Sequence, residues 1–297
     1  MINISFDSQL LTTLMGCPRL ANERFNKDLV AKGGKSNSIE VGAIAHAILE
    51  FFNKALIDGK SRTDAIEIGF AAGKEYIAGY SETNKYIRDV EENGVQNTPE
   101  ESTDKLIGWK YVLSTMEEYF DYYRNESWTV ISAEETRKEI IYEDEDIRVL
   151  WKAKFDCIVD MQDGMMPVDH KTMKQRRDTL SLNNQFMGQC ILTKSRTIVI
   201  NKIGWQKSLE PHEKFLRGTI SYSPDRLAEQ INEVIPHYAR MYIAYSQADY
   251  WPPNYTHCET KYGICDRKEL CESDRHMRDD VNRVYFHKGK KWDIDND

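Results

Sequence analysis

What this chain lacks narrows it first. No run of 18 or more apolar residues occurs in its 297 residues, so no membrane-spanning helix and no membrane partner are expected. The opening stretch "MINISFDSQLLTTLMGC" has neither the basic start nor the unbroken apolar segment of a signal peptide. A cytoplasmic location is the expectation, and thiols stay reduced there. The six cysteines are therefore expected to be free or metal-bound rather than joined in disulfides. A Gly-x4-Gly-Lys-Ser/Thr loop is missing, which leaves out a nucleotide-driven motor. Excess positive charge is missing too: 40 Lys and Arg stand against 48 Asp and Glu, a net charge of −8. Strong non-specific nucleic-acid binders are usually basic. Phosphates, however, respond to local patches rather than to the total. One patch holds Lys171, Lys174, Arg176 and Arg177 with no acid among them; another holds Arg283, Lys288, Lys290 and Lys291. No internal repeat is apparent.

What is present suffices for a buried core, with 40% hydrophobic residues, in one large domain or two small ones. Residues 8–26, 39–57, 62–80 and 104–124 read as helices, with Ile44, Ile48, Leu49 and Phe52 at helical spacing. Residues 81–103 are polar and read as a loop. From Trp128 to Lys171 the chain is rich in β-branched and aromatic residues, broken by polar turns at 143–146 and 162–164. That pattern predicts three or four adjacent strands, largely antiparallel hairpins. A helix at "LNNQFMGQCILTK", strands at "TIVINKIGW" and "KFLRGTISYS", and a long helix from Ser223 follow, the last capped by Ser223 with Pro224 in its first turn. The fold class expected is α/β, a mixed sheet flanked by helices.

Asp156 interrupts an apolar strand, "FDCIV", and Asp169-His170-Lys171 ends the next one. A buried strand carboxylate is costly unless it is paired or binds a metal. Two such carboxylates on consecutive strands can face one place across a hairpin. Hard divalent cations take oxygen ligands of this kind. Mg²⁺ or Mn²⁺ held by Asp156, Asp169, a nitrogen of His46 and the backbone carbonyl of His170 would keep positions for water and a phosphate oxygen. Lys171 would then orient the attacking water or offset charge on phosphorus. Glu50, one turn beyond His46, is a weaker outer candidate. Trp151 and Trp205 are available for base stacking, although Trp is more often core.

The cysteines form a second constellation. Cys258, Cys265 and Cys271 lie in a polar, turn-rich segment, and Cys17 stands near the other end of the chain. These spacings do not match a Cys-x2-Cys zinc ribbon. Three close thiolates and a remote fourth suit a 4Fe–4S cluster. His257 and His276 keep zinc open as the alternative. Such a centre would staple the two chain ends together. Cys157 and Cys190 read as core.

The ordered set "GAIAH" (42–46), "KFD" (154–156), "VDHKT" (168–172) and "QFMGQ" (185–189) resembles the PD-(D/E)XK nucleases, in their RecB-like exonuclease branch. "CPRL" (17–20) and the C-terminal cysteines resemble the subgroup of that branch with an iron–sulfur cluster. That subgroup includes AddAB-type subunits and CRISPR-associated or phage exonucleases. The resemblance implies a restriction-endonuclease-like core over 39–250 with a helical insertion at about 60–125. Residues 1–38 and 251–297 would join in the cluster lobe. It implies a metal-dependent DNA exonuclease acting on single-stranded ends with 5′→3′ polarity, in recombination, repair or CRISPR adaptation, within a prokaryotic or phage-infected cell. Asp156, Asp169, Lys171 and Gln185 would be catalytic, and Lys174, Arg176 and Arg177 would contact DNA. A homo-oligomer and recombination or CRISPR-adaptation proteins are the implied partners. The alternative is a non-catalytic DNA-binding adaptor on the same fold. Two positions depart from the pattern: Gln189 stands where the branch carries Tyr, and Ala153 where it carries Gly.

Overall fold

A computed structural model describes residues 1–32, 37–83, 99–161, 164–173, 181–206, 208–260 and 263–289. Its hub is a six-stranded mixed sheet. The sheet's strands are β1 (Ile2–Phe6), β3 (Thr129–Glu143), β4 (Ile147–Asp160), β5 (Met165–Met173), β6 (Thr197–Gly204) and β7 (Phe215–Ser221), while β2 (Leu29–Ala31) lies outside it. Helices α1 (Ser8–Gly16) and α2 (Pro18–Ala21) follow β1. Then come α3 (Asn37–Ile57), α4 (Arg62–Thr83) and α5 (Pro99–Tyr122) ahead of β3. The helix α6 (Asn184–Thr193) links β5 to β6, and α7 (Pro211–Lys214) precedes β7. The long helix α8 runs through Pro224–Glu229, a π turn at Gln230–Val234 and Ile235–Gln247. Among the described residues no helix is long and apolar enough to cross a membrane.

The β3–β4 hairpin is fixed by Asp144, whose Oδ1 accepts from the Asp146 and Ile147 amides at 3.0 and 2.9 Å. Ordinary turn chemistry of this kind sets strand register. The long strand β4 then has one edge covered by β3 along nearly its whole length. Its other edge is shared. β1 pairs with it in parallel over Ile147–Trp151, and β5 pairs antiparallel over Cys157–Asp160. Between those two stretches that edge carries no strand among the described residues. Past Val168, β5 leaves β4 and runs on with β6 in parallel, pairing Asp169 with Ile200 and His170 with Asn201. The result is a notch in the sheet beside Asp156.

Helices cover both faces. One core layer joins Ile4, Phe6, Leu11 and Leu14 to Trp151, Phe155 and Ile235. The other joins Ile44, Ile48 and Phe52 of α3 to Met116, Phe120 and Phe215. Two glycines set how closely helices approach the notch. A Cβ on Gly42 would lie 2.9 Å from Thr172 Oγ1, and one on Gly188 would lie 2.5 Å from Trp151 Nε1. Both separations are too short for real atoms, so these positions let α3 and α6 dock on the strands.

Most elements match the sequence expectation, with three differences. Ile2–Phe6 form a sheet strand, although nothing local signals it. The helix over 8–26 breaks at Cys17, whose backbone is extended. α4 runs to Thr83 and α5 starts at Pro99, so the polar stretch 81–103 is helical at both ends; residues 84–98 lie outside the described residues. Trp151 is fully buried, so it is core and not a base-stacking surface; Trp205 is partly buried against the α3 layer.

Segments following α2 and preceding residue 290 meet outside the six-stranded sheet. β2 pairs antiparallel with β10 (Phe286–Lys288), and β8 (Glu259–Thr260) pairs with β9 (Gly263–Ile264). Short helices α9 (Lys268–Glu272) and α10 (Arg278–Tyr285) complete this region.

Candidate metal centre and cysteine cavity

The notch collects the sequence-predicted residues from four elements. Where β5 peels away, the His170 amide would be left without a ladder partner. Asp156 takes that role: its Oδ2 accepts from the His170 N–H at 2.7 Å. The His170 carbonyl meets the ring of His46, with Nε2 at 3.0 Å. A carbonyl only accepts, so Nε2 carries the proton and donates. His46 Nδ1 is then the nitrogen with a free lone pair, and it lies 3.6 Å from Asp156 Oδ1. A histidine whose second nitrogen donates to a backbone carbonyl is the usual arrangement behind a metal ligand. The His170 carbonyl, expected as a metal ligand, is thus engaged in orienting His46.

Asp169 is fully buried. Its Oδ1 accepts from Gln185 Nε2 at 2.7 Å, and its Oδ2 lies 2.7 Å from Lys171 Nζ. Among the described residues the Lys171 ammonium is the group facing Oδ2. Burial raises the Asp169 carboxyl to about 6, against the lowering effect of Lys171 and with a further raise from Asp156. Lys171 Nζ also donates to Gln185 Oε1 at 3.2 Å, so Asp169, Lys171 and Gln185 form a closed triangle. Strand alternation puts Asp169 and Lys171 on one face of β5. Asn183, which caps α6 by accepting from the Gln185 amide at 2.8 Å, fixes where Gln185 enters.

Glu134 was not anticipated. Ala133 pairs with Cys157 and Glu135 with Phe155, so Glu134 faces Asp156 across the hairpin. Its φ of +53° is a left-handed conformation, which costs a non-glycine residue of the order of 1 kcal/mol or more. Among the described residues, ligand atoms of His46, Glu134 and Asp156 form one group within 4.8 Å of one another. A divalent ion with bonds of about 2.1 Å can bridge donors up to ~4 Å apart. The donor set therefore fits a hard cation after small side-chain adjustments. Burial, then the charges of Asp156 and Glu50, push the Glu134 carboxyl up, while Lys154 at 3.0 Å draws it down. Glu50 itself pairs with Lys54 one turn on.

Gln189 donates to the Lys154 carbonyl at 3.2 Å. That carbonyl lies on the stretch of β4 that neither β1 nor β5 covers, so Gln189 serves the open strand edge. Lys174, Arg176 and Arg177 lie outside the described residues.

The second constellation also comes together. All six cysteines carry free thiols. Cys157 and Cys190 are buried in the sheet and α6, and burial pushes both thiols up, Cys190 to about 12. Cys17, Cys258, Cys265 and Cys271 instead line one small cavity, partly open to solvent, with Arg19 and His257. Donors reach sulfur there, among them the Asn254 backbone N–H to Cys17 Sγ at 3.3 Å and Arg19 Nη1 to Cys271 Sγ at 3.9 Å. Gly16 is needed beside it, since a Cβ would lie 2.8 Å from the His257 ring.

No protein-family model and no curated protein matches this chain. Solved structures do. One is that of SSO0001, at 13% identity and a TM-score of 0.27, covering 52% of this chain and 67% of that one. Another, from Eubacterium rectale, is described as a "Putative exonuclease"; it is 14% identical with a TM-score of 0.43, covering 91% of this chain and 86% of that one. At these scores the likeness adds nothing to the topology and geometry described above.

Proposed function

We propose that the chain is a metal-dependent deoxyribonuclease whose active site is the notch between β4 and β5. The observation that carries this reading is the convergence there of Asp156 and Asp169 with Lys171, on strands that the sheet forces apart. His46 Nδ1, Glu134 and Asp156 would hold Mg²⁺ or Mn²⁺, with Asp169 Oδ2 able to turn toward it. The bound cation supplies Lewis-acid polarisation of a phosphate oxygen and eases deprotonation of water. Lys171, one-third exposed on its side chain, presents an ammonium at the mouth of the site. There it can offset charge building on phosphorus. Gln185 holds both Asp169 and Lys171, so it sets their angle to the strand being cut. Exonucleolytic action on single-stranded ends and 5′→3′ polarity belong to this proposal through the resemblance of the motifs. So does a place in recombination, repair or CRISPR adaptation.

The cysteine cavity is assigned a 4Fe–4S cluster in the same reading. A single zinc with bonds of about 2.3 Å needs its sulfurs within ~4 Å of one another. Among the described residues the cysteines form no group tighter than 4.8 Å, yet all four face one cavity. A larger polynuclear centre fits that spread better than one ion. The cluster's part would be structural, tying residue 17 to residues 258–271.

The test uses single-stranded DNA labelled at either end, and a closed circle, with Mg²⁺ or Mn²⁺. Wild type is expected to degrade the linear strand. Asp169→Ala and Lys171→Ala should lose roughly 10²–10³-fold or more, and Glu134→Gln should need about tenfold more metal. Equal degradation by all four proteins would sink the assignment. Binding without cleavage by wild type, with either metal, would make the chain an adaptor instead. Anaerobically purified protein should be yellow-brown; a colourless protein with stoichiometric zinc would overturn the cluster.

A further inference from the structure

His170 is the hub of the notch chiefly through its backbone, although its ring also packs edge-on against that of His46, with centroids 6.0 Å apart. Its N–H holds Asp156 and its carbonyl holds His46, so one peptide segment orients two of the proposed ligands. The His170 ring's Nδ1 enters a buried polar chain that the proposed reaction does not use. The ring's Nδ1 lies 2.8 Å from Asn201 Nδ2, and Asn201 is in register with His170 on β6. An amide nitrogen only donates, so Nδ1 accepts. The Asn201 amide is itself fixed by Arg217 of β7, whose Nε donates to Asn201 Oδ1 at 3.0 Å. Asn201 Nδ2 also donates to Tyr119 OH at 2.9 Å, and Arg217 Nη2 donates to the same hydroxyl at 2.7 Å. Arg217 is ion-paired with Glu126 and sandwiched between Tyr123 and Trp128, at 3.6 and 4.0 Å from the ring centres.

A fully buried asparagine and a mostly buried arginine cost free energy as isolated groups. Here their donors run in one direction, from the outer strand to the peptide beneath the notch. Arginine can only donate, so it leaves the Asn201 amide a single orientation, and that amide leaves the His170 ring a single rotamer and tautomer. We infer that Asn201 and Arg217 are positioning residues for the metal: they clamp the His170 ring and thereby hold its backbone N–H and carbonyl where Asp156 and His46 need them. The inference rests on the metal-centre reading above. Partners one step behind a ligand typically set metal affinity by 10–100-fold.

The experiment titrates Mn²⁺ into the whole chain as purified by calorimetry, with melting temperature measured on the same samples. Asn201→Leu, which fills the space without donating to Nδ1, should weaken Mn²⁺ binding roughly tenfold. Asn201→Asp is the second variant. It is isosteric and still accepts from Arg217, but it offers an acceptor to Nδ1, so it should weaken Mn²⁺ similarly even if the leucine variant does not fold. Arg217→Lys should fall between these and wild type. Cleavage at saturating Mn²⁺ should recover most of the wild-type turnover. Variants that melt lower but bind Mn²⁺ like wild type would overturn the inference and leave the metal centre standing. A wild-type protein that binds no Mn²⁺ would overturn both.

Discussion

The notch and the cysteine cavity are built by opposite means. Every side chain in the notch sits on a strand or helix that packs into a large apolar layer, and long-range pairing decides where the carboxylates meet. The cysteine region has almost none of this support. Its buried apolar residues are few, chiefly Leu20, Leu270 and Phe286. It is tied by two pairs of very short strands and by isolated contacts such as Arg267 to the Leu29 carbonyl, over the Phe286 ring. A site made by a sheet is as rigid as the sheet. A site made of loops needs something bound in it to be rigid, because so little apolar area is removed from water there.

The sharpest way to break this comparison is to remove one thiol. Cys271→Ser should abolish the visible colour and lower the first melting transition by about 10 °C, roughly 3 kcal/mol for a chain of this size. The Mn²⁺ affinity of the notch should stay within about threefold, since the notch side chains are held by the sheet, α3 and α6. Calorimetry and Mn²⁺ titration on one preparation decide it. A parallel collapse of metal binding would show that the two regions are one cooperative unit.

A smaller effect sharpens the notch side. The Asp169 carboxyl is raised to about 6 by burial, so it keeps its proton until about that pH, and a cation must displace that proton. Mn²⁺ affinity is expected to fall about tenfold per pH unit below ~6 and to level off above it. Asp169→Asn should flatten this slope. An unchanged slope in that variant would mean another group carries the titration.

The smallest effect concerns stability away from both sites. Asp7 caps α1 by accepting from the Leu10 amide at 2.7 Å, yet burial raises its carboxyl to about 6. The folded state therefore holds this proton more tightly than the unfolded one. The associated stability is complete below about pH 4 and is lost as pH rises through about 6. Asp7→Asn keeps the cap acceptor and should stabilise the protein at pH 7 by on the order of 2 kcal/mol. Denaturant melts at pH 4 and pH 7 would show it, with colour and Mn²⁺ binding unchanged. A variant less stable at pH 7 than wild type would mean that the ionised cap contributes more than its burial costs.

Local patterns carried much of the fold into view. Strands β3 to β5 are legible because β-branched and aromatic residues fill a stretch punctuated by acidic and glycine turns. Asp169 and Lys171 stand out because alternation alone puts both on one face. Glu134 does not stand out. In "AEETRKE" it is one charge among several, and its meaning depends on facing Asp156 across the hairpin. Counting from the turn misleads: Glu143 pairs with Arg148, which without a bulge would set Glu135 opposite Asp156, and the register shift between Ile140 and Tyr142 brings Glu134 there instead. Asn201 and Arg217 had no local signal either, since a buried polar chain is defined by neighbours from other elements.

The sequence by itself determined the chemical inventory and its order: a histidine on a helix, carboxylates on successive strands, a lysine beside the second, a glutamine opening the next helix, and cysteines near both ends. It determined this because residue chemistry and short-range periodicity are local properties. Only the tertiary structure decided that β1 and β5 share one edge of β4 and leave a gap at Asp156. It also decided that Glu134 faces that gap and that His170 serves it through its backbone. Those facts follow from strand register and from which edge each strand occupies, and both are settled by packing among residues far apart in the chain.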